Sequence, residues 1–532
     1  MRYFLALTTF LLFVSNNLSS QSREIIVKTT DKSIVIDGLG NDEAWKDANE
    51  IGDFFQYFPA DTSKANYQTS VKIIRDRNNL YFLAKSFTKD QNIVVPSLRR
   101  DWTGWGIDNL TFLFDTFNDQ TNGFQFGTNP EGVQRESLMS NGMNDWRRDN
   151  NSSWDTKWET EAQIYDGYIL NEIKIPLKFL NFPEGSKSWG LNINRYNSSE
   201  NEWTNWIQRP RNQFIHSLAY LGKMTFEDPL GKSKAPLAII PYINGITFKD
   251  FENETNFNNL SFGGDAKVPI GNGLNLDLTV NPDFSQVEVD DQIVNLTRFE
   301  VSLPEKRQFF IQNSDLFSNY GNARDALPFF SRRIGVAKDK NGNNIENKII
   351  AGARLSGKID ENWRIGFLHM KTDEDIENEI PSNNNTVFSL QKKVFTRSNI
   401  NFLMINRETT KEYDFIEESE KYNRLVGLDY NLASPDNKYT GRAYFHKSFN
   451  PDTQKEDNNN SFGINLERNT RNSSIEFGSS FLGNDFKSDL GFIRRTDIFK
   501  INPEYKFKFY PKDKNLNQFD ISFGLWSTFR PN

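Results

Sequence analysis

Cysteine is absent from all 532 residues. That excludes disulfides, thiolate metal sites, a cysteine nucleophile and a lipid-anchored N-terminal cysteine. Histidine is nearly absent too, and His216, His369 and His446 stand singly. No HExxH, GxSxG or P-loop pattern occurs, so zinc protease, esterase and NTPase chemistry have no signature. An excess of positive charge is also missing. The net charge is -7 and the Lys and Arg residues are dispersed, which argues against a nucleic-acid partner. No apolar run reaches the roughly 20 residues that a membrane-crossing helix needs. The run Tyr3–Val14 follows a basic start and precedes small polar residues, so residues 1–21 read as a secretory signal peptide.

Aromatic residues are plentiful, with 46 Phe and 11 Trp. Such richness suits sheet surfaces, sugar-stacking platforms and membrane girdles. The length calls for at least two structural units. Up to about Phe226 the chain is Trp-rich and broken by varied loops. Strand-like runs there are "KSIVIDG", "SVKIIRD", "LYFLAKSF", "NLTFLFDTF", "GYILNEIKIP" and "WGLNINRY". The patch "EDPLGKSKAP" then breaks the pattern, and residues 229–235 read as a linker.

Beyond residue 236 a two-residue rhythm takes over. Leu274, Leu276, Leu278 and Val280 oppose Asn275, Asp277 and Thr279. Ala351, Ala353 and Leu355 oppose Arg354, Ser356 and Lys358. Val426, Leu428, Tyr430 and Leu432 oppose Asp429 and Asn431, and Phe519, Ile521 and Phe523 oppose Asp520 and Ser522. A soluble sandwich or solenoid could carry this rhythm, and so could an outer-membrane barrel with its apolar face to lipid. In lipid every backbone hydrogen bond must close internally, and a closed barrel achieves that without edges. The exported leader, the mixed charges of the polar faces and aromatics near strand ends favour the barrel, with about a dozen strands over 236–532. The chain stops at "FRPN" rather than on a terminal aromatic, so the expected barrel is incomplete.

The opening "IVIDGLGNDEAWKDA" resembles the start of family-9-like carbohydrate-binding domains, which are DOMON-like β-sandwiches. The blocks "VKIIRDRNNLYFLAKSF", "DNLTFLFDTFND", "FQFGTNPEGVQRE" and "WETEAQIYDGYILNEIKIPLKFL" continue the resemblance over residues 25–228. It implies that Ile34 and Ile36 enter a core, that Asp37–Gly38 turn, and that Trp45 closes the sandwich end. The second unit resembles a domain of unknown function found in gram-negative outer-membrane proteins. The carrying residues are "NLDLTVNPDFSQVEVDDQIVNLTRFEVSLPEKRQFFIQN" and "SDLGFIRR". Residues 281–313 are expected as a plug-like insertion at the lumen or one mouth. Asp283, Glu288, Asp290, Asp291, Glu300 and Glu305 would pair there with Arg298 and Arg307, because charge is tolerated where water is scarce only when paired. The fold class is therefore all-β, a sandwich followed by an antiparallel outer-membrane-type barrel.

Sugar binding needs flat aromatic faces beside planar hydrogen-bonding groups. "RRDWTGWG" offers Arg99, Arg100, Asp101, Trp102 and Trp105; "NDWRRDN" offers Trp146 and Arg147; "NEWTNW" offers Trp203 and Trp206. Trp154 and Trp158 read better as core residues. No cofactor is required. Asp115 and Asp119 in "DTFNDQTNG" offer oxygens to calcium, although a solvated hairpin turn explains them as well. The expected partners are a polysaccharide or oligosaccharide and the lipid of the outer membrane, with a link to polysaccharide breakdown. Hydrolysis of an O-glycosyl bond is an alternative, resting on association with hydrolases rather than on a catalytic pair. A structural or assembly role at the outer membrane is a third.

Overall fold

The computed structural model describes residues 23–89, 93, 95–102, 106–232, 237–250, 255–282, 294–296, 299–322, 324–451, 458–511 and 516–531. The leader, Trp105, Asp283, Glu288, Asp290, Asp291 and Arg298 lie outside the described residues.

The first unit is a β-sandwich. Strands Glu159–Tyr165, Tyr168–Pro176, Asn79–Phe87, Thr69–Arg75 and Glu24–Thr29 follow one another, and then Gly222–Phe226, Ser188–Asn197, Asn109–Asp115, Gly123–Thr128 and Gln134–Met139. Alternation along Asn109–Asp115 sends Leu110, Phe112 and Phe114 into the main core. Trp154, Trp158, Trp189 and Trp206 pack in that same core. Asn109, Thr111, Leu113 and Asp115 point to the other face of the sheet.

The run "KSIVIDG" is not a strand. Its backbone is diverted to a side chain: Glu172 Oε2 accepts from the amides of Gly38 at 2.8 Å and Asp37 at 3.1 Å. Glu172 Oε1 accepts from Trp45 Nε1 at 3.0 Å. Gly38 sits at φ 78°, where glycine is favoured. Trp45 is buried, and Ile34 and Ile36 pack beside it in a satellite cluster rather than in the main core.

Among the described residues the second unit is built on one antiparallel sheet of 14 strands. Thirteen follow chain order from Ala238–Asp250 to Phe519–Gly524, and Ser527–Phe529 folds back onto Ile498–Phe509. The sheet is open: among the described residues Ala238–Asp250 and Phe519–Gly524 do not pair with each other. Its burial is inverted relative to a soluble sheet. Arg354, Ser389, Asp429, Arg442 and His446 are buried, whereas Val426, Leu428, Phe445, Phe462 and Phe523 are exposed. The alternations at Leu274–Val280, Ala351–Lys358 and Val426–Leu432 take these two sides, whereas Phe519–Phe523, on an edge strand of the sheet, is exposed on both.

The inner face wraps a plug. Phe310, Leu316, Phe317, Tyr320, Phe329 and Ile334 pack against Leu368, Val387, Leu403, Leu425, Leu482 and Ile498 from six different strands. Polar contacts complete the fit. Arg364 reaches Asp315 at 2.7 Å, Tyr320 Oη meets Ser389 Oγ at 2.7 Å, and the Gly321 amide donates to Asp429 at 2.9 Å. The filling segment therefore continues past residue 313, where the expected insertion ended. Within the expected segment Glu305 pairs with Arg307 at 2.7 Å, and Glu300 pairs with Arg333 at 2.6 Å. No helix among the described residues is long and apolar enough to cross a membrane.

Candidate functional site

Strand Gln134–Met139 organises the residues singled out for binding. Alternation turns Glu136 and Arg135 to opposite sides. Glu136 is fully buried and accepts from Trp158 Nε1 and the Thr156 amide, both at 3.1 Å. It also pairs with Arg100, which holds Asp155 at 2.8 Å. Burial pushes the Glu136 carboxyl up, against the pull of Arg100 and Trp158. Asp101 Oδ1 accepts from the Glu136 amide at 3.3 Å. Arg100 and Asp101 thus hold this strand in place. Glu136 and Asp155 share Arg100, and Glu136 is buried.

On the other side, the Arg135 guanidinium lies 4.9 Å from the Trp102 ring centre and 5.2 Å from that of Trp146. Such stacking suits a planar, weakly hydrated cation. Among the described residues it has no hydrogen bond or ion pair, and burial pulls its pKa down to about 10. Trp146 opens a short helical turn capped by Asp145, whose side chain accepts from the Arg147 amide at 3.0 Å. Its ring is 5.4 Å from the ring of His216. Burial, then Arg135 and Arg209, hold His216 well below its usual pKa.

Register extends this face. Asn205, Asn194, Thr111, Gly127 and Arg135 lie in one cross-strand row; Asn192, Leu113, Gln125 and Ser137 lie in the next. Both amide atoms of Gln125 and of Asn205, Ser137 Oγ, Asn194 Oδ1 and His216 Nδ1 are buried without a protein partner. Buried polar atoms normally have partners, so a cluster of orphans on one face calls for a cause. Trp203 stands on this face beyond Asn205, its ring 4.7 Å from Tyr196. The structure thus places Trp102, Trp146 and Trp203, singled out separately in the sequence, on one face. Arg147 and Arg99 are exposed away from the row, and Trp206 is a core residue. Arg135, His216, Gln125, Asn194 and Asn205 were missed. Only the register shows that these scattered polar residues share a side.

Loops 140–150 and 206–221 cover this face. Asn194 Nδ2 donates to Ile215 O at 3.1 Å, and Asn192 Nδ2 to Tyr220 O at 3.0 Å. The same loops rest on the turns of the second sheet. Asn437 Nδ2 donates to Gln213 Oε1 while Gln213 Nε2 donates to Asn437 O, Tyr220 Oη donates to Asp436 O at 3.1 Å, and Asn212 exchanges bonds with Asn469. Arg471 pairs with Asp61, and Asn151 Nδ2 donates to Ser314 Oγ of the plug at 2.9 Å. The sandwich thus caps one end of the sheet.

The loop "DTFNDQTNG" spends its carboxylates on itself. Asp115 accepts from the amides of Phe117, Asp119 and Gln120. Asp119 accepts from Thr121 and Asn122 and pairs with Lys358. Amide donors and an ammonium repel a cation, so this arrangement does not fit calcium. No group of three or more His, Asp or Glu suited to a metal occurs among the described residues.

A two-unit all-β protein of this kind, with a sugar-binding type of sandwich on an inverted sheet, defines the class. Residues 235–532 match the family described as Domain of unknown function (DUF5916), and the chain belongs to that family. Residues 36–228 match the model described as Carbohydrate family 9 binding domain-like. No curated protein matches the chain. Among solved structures it is similar to a carbohydrate binding module of family 9 from Caldicellulosiruptor kristjanssonii in complex with cellotriose. That pair shares 16% identity over 41% of this chain and 98% of that one, with a TM-score of 0.28. The same module in complex with glucose matches at 16% identity over 39% and 96%, with a TM-score of 0.28. OccAB4 of Acinetobacter baumannii matches at 7% identity over 90% and 91%, with a TM-score of 0.24. TM-scores this low add nothing to the two family matches.

Proposed function

We propose that this protein resides in the outer membrane and recognises a polysaccharide or oligosaccharide with its sandwich, in the service of polysaccharide breakdown. The observation that carries the membrane half is the inverted burial of the second sheet. Arg354 and Asp429 are sealed inside, while Leu428, Phe445 and Phe523 face outward. An exposed apolar belt of this extent on consecutive strands suits acyl chains and is costly in water. The sugar half is supported by the family match of residues 36–228 and by the orphaned amides beside Trp102, Trp146 and Trp203. Hydroxyl groups would satisfy those amides, and entry requires the cover 206–221 to lift. Short turns such as those at Pro435–Lys438 and Thr470–Asn472 lie at the sandwich end. In outer-membrane barrels short turns face the periplasm, and this supports reading the sandwich as periplasmic.

The test begins with extraction of the full chain from outer membranes. Its gel migration should change on heating. Leu428→Arg should abolish that species, since a charge at the lipid face costs about 2–4 kcal/mol. Wild type should be retained by at least one glycan in an affinity-gel panel, and Trp146→Ala should weaken that retention. A chain that stays monodisperse in buffer without detergent would overturn the membrane assignment. Retention by no glycan, or by Trp146→Ala as by wild type, would overturn the sugar site.

A further inference from the structure

The segment "SDLGFIRR" has no role in the sandwich or in the apolar belt. Most of it is used in packing. Ser488 Oγ donates to Pro328 O at 2.6 Å, Leu490 and Phe492 are buried in the plug core, and Phe492–Ile493 pairs with Ala326–Leu327. What it then presents is Arg494 and Arg495. Among the described residues the Arg494 side chain donates only to the Arg324 carbonyl, at 3.4 Å, and lies 5.6 Å from the Phe299 ring centre. Arg495 has no hydrogen bond or ion pair among the described residues. Both line a cavity of about 460 Å³ with Arg530, Thr496, Thr528 and Phe529. The one carboxylate among the described lining residues, Asp497, is held by Arg530 at 3.2 Å. Three guanidinium groups thus face one carboxylate, in a protein whose net charge is -7.

We propose that this cavity binds an acidic saccharide through its phosphate, sulfate or carboxylate group. Guanidinium forks match the paired oxygens of such groups and leave no proton ambiguity. The volume is that of a small-ligand site and exceeds what a bare anion fills. The threonine hydroxyls and the Phe299 and Phe529 rings supply what a sugar ring needs beside its charge. The cavity lies at the end of the sheet remote from the sandwich, so it is independent of the face around Arg135.

The experiment uses the full chain in detergent. Binding of a free sulfated oligosaccharide, of micelles carrying a phosphorylated glycolipid, of inorganic phosphate and of neutral cellotriose is measured by titration. Saturable binding of an acidic saccharide is expected, weakening as salt rises. Arg494→Gln with Arg495→Gln should weaken it about tenfold, with neutral-glycan retention by the sandwich unchanged. A stronger response to the free oligosaccharide or to the glycolipid identifies the source. If the double variant fails to show the heat-modifiable species, Arg530→Gln at the exposed rim serves with the same expected loss. Equal binding by the variants, equal binding of cellotriose, or no binding of any acidic saccharide overturns the proposal. Phosphate binding as tight as the saccharide overturns the sugar assignment.

Discussion

The Lys358 ammonium, on the rim of the second sheet, forms a buried ion pair with the Asp119 carboxylate of the sandwich. Lys358 also stands 3.9 Å from the ring centre of Phe117. Burial, and then the charge of the neighbouring Asp119, raise Asp115, while Lys358 pulls Asp119 down against its own burial. One lysine therefore neutralises an acidic loop that would otherwise be buried with uncompensated charge.

Lys358→Met should loosen the seating of the sandwich. Breaking a buried pair by removing one partner costs about 3–5 kcal/mol, because the remaining charge is stranded. Lys358→Met with Asp119→Asn should recover part of that loss, as coupled residues in a double-mutant cycle do. Thermal unfolding and protease cleavage between the units measure both. Strictly additive losses would show that the pair does not join them.

His216 gives a sign for acid. Its folded-state pKa lies below the usual value of about 6.5, because burial, Arg135 and Arg209 disfavour the imidazolium. The unfolded chain therefore takes up the proton more readily. Its contribution to stability is complete above about pH 6.5 and is lost as pH falls below that value. His216→Gln should flatten the fall in unfolding temperature between neutral pH and about pH 5 relative to wild type. Two parallel curves would mean that His216 is not held neutral.

Glu172 holds the "IDG" turn against Trp45 through three accepted hydrogen bonds. Glu172→Leu should cost about 2–4 kcal/mol, since two amides and an indole N–H lose a charged acceptor. Glu172→Gln should cost less, because its carbonyl still accepts. The two unfolding temperatures, compared with wild type, check the order.

Several of these arrangements were legible in advance. The dyad rhythm of Val426–Leu432 and Phe519–Phe523 fixed which side chains share a face, since strand geometry has period two. Trp154 and Trp158 were readable as core residues leading into a strand, and both pack in the main core just before Glu159–Tyr165. The strand expected at "KSIVIDG" failed because Glu172, about 135 residues away in sequence, captures the amides that a ladder would need. The expected plug ended too early because Phe317 and Tyr320 become plug residues only when six strands curve around them.

By itself the sequence determined the all-β character, the two units and the inside–outside alternation, because each follows from local periodicity and composition. The tertiary structure decided the rest. Arg135 against Trp102, Asn194 beside Thr111, and Lys358 on Asp119 are contacts between residues far apart in the chain. Their partners are set by strand register and by how the sandwich seats on the sheet, and neither is encoded in any short stretch of residues.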